Sequence, residues 1–368
     1  MSPLTLTRRD FLSAALLAPA IARLQPLPGG RLLGTIPLGA RGRRSPLNRL
    51  LGTGLDARLF TDLSTLAPES DLVTPNERFY VRTAASLPAA AGTRVAGVDF
   101  ARLERSPGRT RVGPYLMECA GNSDPANFGL MSVATWTGFA MPAIIDQLAG
   151  DRQGRRVLVS GTDPEGPSAT SVPGASWIFS RDQLERAVLA VQMNDAPLPP
   201  DHGGHARLVV PGWYGCACIK WVDRIELVAD DVPATSQMLE FAARTQQPST
   251  AKMAREFAPA AIDTAAMPVR VEKWRVDGRI EYRITGIIWG GTTPTNALSI
   301  RFKSGGDWTR VEHCPLPAST LTWSLWTHTW RPDTPGRYEI VLRVDDPTVR
   351  TRRLDIFFYV REAQIEEV

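Results

Sequence analysis

The sequence predicts a mixed α+β domain followed by an all-β, immunoglobulin-like sandwich. Three observations carry this reading. Between residues 71 and 232, short apolar runs split by turn residues alternate with helical stretches. Residues 233–267 are rich in Ala, Pro and Thr and read as a connector. Over residues 268–361, polar and apolar positions alternate in short runs, punctuated by Asp277-Gly278, Gly290-Gly291, Gly305-Gly306 and Pro335-Gly336. That texture belongs to a sandwich of short strands.

The chain has 368 residues, enough for two domains at roughly 100–200 residues each. Hydrophobic residues make up 43% and charged ones 22%, ordinary for a globular protein. The ten Trp need two-sided burial. The net charge of +4 is partly concentrated in Arg41, Arg43, Arg44 and Arg49, with no basic helix or basic-aromatic motif beside them. Nucleic-acid binding is therefore not expected. Four cysteines at uneven spacing do not make a disulfide framework.

Residues 1–22 carry Arg8-Arg9 ahead of a short apolar run from Ser13 to Ala22. This is the twin-arginine export pattern, and the run is too short to span a bilayer. It predicts a periplasmic protein without an integral membrane segment. That route carries folded proteins, so it also hints at a cofactor. Residues 23–70, rich in Gly, Arg and Pro, read as an extended leader. Beyond them, Phe79-Tyr80-Val81 reads as a strand and Pro142 as the start of an amphipathic helix. Arg156 to Ser160 reads as a buried strand. Ser180 and Gln183 sit where a capping box would open a helix over Arg181 to Val191. Leu208 to Val210 and Ile225 to Val228 read as strands.

Two segments can carry chemistry. In Tyr115-Leu116-Met117-Glu118-Cys119-Ala120-Gly121-Asn122, an apolar strand runs into a Cys followed by small residues. A thiolate there suits a thiophilic metal, although a lone Cys serves equally well as a small buried hydrophobe. In the second segment, His202, Arg207 and Lys220 flank a buried strand with Gly at each bend. Such cations suit a phosphate. The same stretch allows another reading, a zinc site from His202, His205, Cys216 and Cys218. Against that reading, the Cys pair is one residue tight and Lys220 would repel a cation. Trp323, Trp326 and Trp330 read as core or dimer interface.

Taken in order, Asn76-Glu77-Arg78-Phe79-Tyr80-Val81-Arg82, Cys119-Ala120-Gly121-Asn122, Met193-Asn194 with Pro197-Leu198-Pro199, His202-Gly203 followed by Arg207, and Val210-Pro211-Gly212 before Lys220-Trp221 resemble the sulfite oxidase family. The resemblance covers roughly residues 70–360. It implies that the α+β part is a molybdopterin-binding domain and that the sandwich is a dimerisation domain. It further implies molybdenum bound by Cys119, with a dithiolene-bearing pterin supplying two more sulfurs. The pterin phosphate falls to His202, Arg207 and Lys220, with Asn76 as a further cofactor contact and Arg82 at the substrate anion. The implied reaction is two-electron oxygen-atom transfer to sulfite or a related sulfur compound. No Cys-x-x-Cys-His haem motif is present, so electrons are expected to pass to an external acceptor such as a cytochrome c.

Three positions depart from the family pattern. Ser123-Asp124 stands where basic residues usually follow Cys-Ala-Gly-Asn. Phe241 aligns with an active-site Tyr. Thr83-Ala84 replaces an Asn-His pair. They leave two alternatives open: a reductase of a sulfoxide-like substrate, and a non-catalytic or zinc-binding protein of the same fold.

Overall fold

The computed structural model describes residues 27–38, 58–67, 72–82, 95–122, 128–149, 155–162, 175–303 and 305–368. The Arg8-Arg9 pair, Thr83-Ala84 and Asp124 lie outside the described residues. Among those described, structure is mostly sheet with few helices.

The strands are β1 (Gly30–Pro37), β2 (Arg58–Leu59), β3 (Val81–Arg82), β4 (Thr110–Glu118), β5 (Met131–Ala140), β6 (Arg156–Gly161), β7 (Ser176–Ser180), β8 (Val188–Met193), β9 (Ala196–Pro197), β10 (Arg207–Val209) and β11 (Val222–Val228). These are followed by β12 (Ala265–Val276), β13 (Arg279–Trp289), β14 (Leu298–Arg301), β15 (Thr309–Arg310), β16 (Ser324–Trp330), β17 (Gly336–Val344) and β18 (Arg361–Ile365). The α-helices are α1 (Phe100–Arg105), α2 (Met141–Ala149) and α3 (Ser236–Phe241). Asp99 caps α1 by accepting from the Arg102 N–H. Thr235 caps α3 in the same way, accepting from Met238.

A five-stranded sheet runs β10-β8-β5-β4, with β9 on β8, and a three-stranded sheet runs β11-β6-β7. Trp136, Phe139, Ile144, Val157, Trp177 and Phe179 share one buried cluster between these sheets and α2. Burying each such side chain is worth about 1.5–3 kcal/mol, which holds the layers together. Strand β5 is buried along nearly its whole length, with the polar Ser132 and Thr135 buried among apolar residues. The helix expected from Pro142 follows it directly, with Pro142 in its first turn.

The helix expected over Arg181 to Val191 is corrected. Ser180 and Gln183 do exchange the anticipated bonds, at 2.9 and 3.4 Å. They close only one 3-10 turn, Asp182–Leu184. The chain then enters β8, whose buried Val188, Leu189 and Ala190 pair with β5 on one side and β10 on the other. Cross-strand packing decides the conformation of such a central segment over its local preference.

The C-terminal part holds two antiparallel four-stranded sheets, β1-β12-β13-β16 and β15-β14-β17-β18. They enclose a second cluster with Ile284, Trp289, Trp323, Trp326, Trp330 and Ile340. The three Trp of β16 and its approach are thus core within one chain. Trp326 donates to the Ile287 carbonyl at 3.1 Å, and Trp330 stacks on Phe302 at 4.2 Å. Part of the stretch expected to be a leader is β1, an edge strand on β12. The stretch read as a connector is not bare. Met238, Ala254 and Ala260 bury themselves in the first cluster, and Ile262 in the second.

Candidate active site

Strand β4 delivers Cys119. Its last ladder pair is Glu118 with Met131, and the Cys119 N–H extends the pairing to the Leu130 carbonyl at 2.9 Å. The chain then turns tightly, with Asn122 N–H on the Cys119 carbonyl at 2.9 Å. Buried Asn122 fastens the far side of the loop, its Oδ1 accepting from Gly129 and Leu130, both at 3.1 Å. This wiring leaves the thiol half-buried at a strand end. Its Sγ accepts from the Gly121 N–H at 3.3 Å and from Arg82 Nη1 at 3.6 Å. Both donors point at the sulfur. A Cβ on Gly121 would sit 2.8 Å from Arg82 Nη1, so glycine is what lets the guanidinium reach the sulfur.

Arg82 is placed by the short β2–β3 pair, where it faces Arg58. Buried Ser132 on β5 supports the same segment, accepting from the Tyr80 N–H at 2.9 Å. Burial, and next the neighbouring Cys119, pushes the Tyr80 hydroxyl well above its ordinary pKa. Burial followed by the same neighbour raises Cys216.

The cations of the second segment also come together. Arg207 opens β10, fully buried, and its Nη1 donates to the His202 carbonyl at 3.2 Å. Its Nη2 contacts the Met117 thioether, and its Nε has no partner. No carboxylate lies within ion-pairing distance of Arg207 among the described residues. Burial accordingly lowers its pKa. Lys220 Nζ donates to the carbonyls of Arg82 and Asp201, each at 3.2 Å, and lies over the Trp221 ring at 4.2 Å. Gly203, at φ 105°, faces the Lys220 side chain, where a Cβ would come within 3.0 Å.

His202 is 3% exposed, with Nε2 at 3.1 Å from the Asn76 carbonyl and its ring edge-on to Phe79. Burial depresses its pKa from 6.5 to about 4, outweighing the opposing pull of Asp201. The unfolded chain therefore binds more protons between those values, so stability rises with pH across that window. In cofactor-free protein this contribution is complete above pH 6.5 and is lost as pH falls towards 4. At 1.36 kcal/mol per pH unit it amounts to at most about 3 kcal/mol. Denaturant unfolding of wild type and His202→Gln at pH 7 and pH 4 is expected to show the smaller loss in the variant.

Asn76 is engaged on both sides of its amide and at its carbonyl. Its Nδ2 donates to the Met193 carbonyl at 3.1 Å and its Oδ1 accepts from Asn194 at 2.8 Å. The side chain braces the β8–β9 turn, where Asn194 and Asp195 have positive φ, while its carbonyl faces His202.

Sequence reasoning missed several residues. Glu118, 1% exposed, accepts from Arg352 at 2.8 and 2.7 Å, from Trp289 Nε1 at 2.9 Å and from Asn122 at 3.3 Å. A carboxylate ending an apolar strand was the available signal. The partner, 234 residues away, left none. Burial opposes the Arg352 charge, yet Glu118 holds its pKa well above the ordinary value. Arg244, beside Gly121, left no signal either.

The zinc reading is not supported. Among the described residues no three His, Cys, Asp or Glu side chains come together as a metal cage. His205 Nε2 is at 2.9 Å from the Val222 carbonyl, and Cys218 Sγ accepts from Val210 at 3.4 Å.

Comparison with known proteins matches residues 93–236 to the oxidoreductase molybdopterin binding domain. The chain is 26% identical to sulfite oxidase of Gallus gallus over 315 residues, 74% of this chain and 66% of that protein. Residues 93–236 thus form a molybdopterin-binding oxidoreductase domain, and the chain is similar to sulfite oxidases over most of its length. A nitrate reductase of Fusarium oxysporum is 35% identical over 102 residues, 27% of this chain and 11% of that one. The chain thus covers less than two thirds of these curated relatives. The sulfane dehydrogenase SoxCD of Paracoccus pantotrophus shares the fold, with a TM-score of 0.57 at 16% identity and 95% of each chain covered. No helix among the described residues is long and apolar enough to cross a membrane.

Proposed function

We propose that this protein is a molybdenum-cofactor-dependent oxidoreductase that oxidises a small sulfur compound, sulfite first, at Cys119. The single observation that carries the reading is the buried Arg207, a guanidinium with an unpartnered Nε and no carboxylate partner among the described residues, against Met117 of the strand that presents Cys119. An uncompensated buried cation costs several kcal/mol, and a phosphate supplies the missing anion. The donors present therefore fit a pterin phosphate, and a soft thiolate fits molybdenum.

When bound, the cofactor supplies two-electron, oxygen-atom-transfer chemistry. The chain's own residues do the rest. Cys119 holds the metal, and Gly121 N–H and Arg82 steady its charge. His202, neutral at pH 7 and anchored by its Nε2–H on the Asn76 carbonyl, shapes the phosphate side of the site, while Arg207 and Lys220 contribute charge to the phosphate. Asn76 acts by holding His202 and the β8–β9 turn. Arg82 also faces the incoming oxyanion, attracting negative charge to the reacting centre. Electrons leave to an external acceptor of the cytochrome c kind. Export by the Arg8-Arg9 signal to the periplasm, an immunoglobulin-like assignment for the C-terminal sheets, and a homodimer through them complete the proposal.

The test is metal analysis together with sulfite oxidation, using protein matured in a host that makes the cofactor. About one molybdenum per chain with sulfite-dependent reduction of an acceptor is expected. Absence of molybdenum overturns the reading, and turnover of sulfoxides alone replaces the direction. Arg207→Met is expected to stabilise the cofactor-free chain, because it removes a buried, unpaired charge, and to lower cofactor retention at least about tenfold. Thermal unfolding and pterin content check the two halves separately.

A further inference from the structure

Cys216 lies in a tight turn, with the Ala217 N–H on the Tyr214 carbonyl at 3.0 Å and the Cys218 N–H on the Gly215 carbonyl at 3.1 Å. That turn is fastened to the end of β4, where the Gly215 N–H donates to the Glu118 carbonyl at 2.7 Å. Cys119 follows Glu118 and Cys216 follows Gly215, so one short hydrogen bond joins the residues just before the two thiols. A Cβ on Gly215 would be 3.4 Å from the Glu118 carbonyl oxygen and 2.7 Å from the Tyr80 hydroxyl, so glycine lets the turn press against the strand end. Residues flanking such a bond lie about 4.5–5.5 Å apart, and a disulfide bridges Cα atoms about 4.4–6.8 Å apart.

Both cysteines are free thiols, half-buried, and packed against the first cluster. Cys119 acts more strongly on the Cys216 thiol than Cys218 does, although Cys218 is two positions away in the chain. The other two cysteines are placed differently. Cys218 is buried, its Sγ engaged with the N–H and the carbonyl of Val210 at 3.4 and 3.8 Å. Cys314 follows β15 in the C-terminal part, where its charged neighbour is Arg310. Nothing in the proposed oxidation uses Cys216.

We propose that Cys119 and Cys216 form a reversible disulfide whenever Cys119 holds no metal, and that this bond must be reduced before molybdenum binds. The oxidant is a low-molecular-weight disulfide such as glutathione disulfide. One cysteine attacks it, giving a mixed disulfide and releasing one glutathione, and the other cysteine then displaces the second. Two S–H bonds of the chain and the S–S bond of the oxidant break. One S–S bond within the chain and two glutathione thiols form. A sulfur bound to molybdenum is withheld from this exchange. The disulfide stands on the placement of the two cysteines, whereas its effect on loading rests on Cys119 as the proposed metal ligand.

The experiment uses the full chain made without the pterin cofactor, and holoenzyme beside it. Each is incubated with glutathione disulfide, its thiols are counted after denaturation, and its peptides are mapped without reduction. The cofactor-free chain is expected to lose two of its four thiols and to yield one peptide pair linking Cys119 to Cys216. Dithiothreitol should return all four. Cys216→Ser is expected to give no internal link and to carry one glutathione on Cys119, while Cys218→Ser should behave as wild type. Holoenzyme should form the link at least about tenfold more slowly. Oxidised chain should take up pterin and molybdenum at least about tenfold less than the same chain after reduction. An unchanged thiol count, or a link from Cys119 to Cys218, overturns the proposal. A Cys119–Cys216 link that forms equally fast in molybdenum-loaded protein would uphold the disulfide and reject Cys119 as the ligand.

Discussion

Cys119→Ser is expected to lose turnover by roughly 10³-fold or more, about 4 kcal/mol of transition-state stabilisation, while the fold persists. The replacement removes one soft ligand and little else. The sulfur makes two polar contacts, with the Gly121 N–H and with Arg82, and a serine oxygen accepts from both. The backbone bond to Leu130 and the Asn122 brace do not involve the thiol. Thermal unfolding within a few degrees of wild type is therefore expected beside the loss of activity. Retained turnover would show that Cys119 is only a packed thiol.

The second large effect lies in the Glu118–Arg352 pair. Their side chains are 1% and 11% exposed, and Arg352 also faces the Tyr214 and Trp289 rings at 5.4 and 5.7 Å. Removing one partner of a buried pair costs about 3–5 kcal/mol, because the other charge is left without compensation. Arg352→Met is expected to lower Tm by roughly 6–20 °C, at about 2–4 °C per kcal/mol. The double variant Glu118→Gln, Arg352→Met should regain much of that loss, since no lone charge remains. Because Glu118 precedes Cys119 and binds Asn122, the single variant should also lose activity at temperatures where it is folded. Thermal scans and turnover of the three variants check this. A double variant as unstable as Arg352→Met alone would mean that the pair acts through packing rather than charge.

The pair also shows what the sequence could and could not reveal. Local texture was legible: β6, α2 from its first turn, and the alternating strands after residue 268 all follow from periodicity and turn residues. Cys119 and the His202, Arg207 and Lys220 group were legible because small residues and glycines surround them in recognisable order. Other features depend on contacts distant along the chain. A capping pair that looked like a helix start at Ser180 gives way because β8 must lie between β5 and β10. The partnership of Glu118 with Arg352 spans 234 residues, and no local pattern encodes it. Arg244 is an arginine among alanines, and only folding brings it beside Gly121. The bracing of Asn194 by Asn76 and its hold on His202 likewise join residues more than a hundred positions apart and required coordinates.

Molybdenum K-edge absorption on holoenzyme of wild type and Cys119→Ser counts the sulfur neighbours of the metal directly. Three sulfurs in the wild type, two from the pterin and one from the chain, and two in the variant are predicted. The same number in both proteins would contradict Cys119 as the anchor.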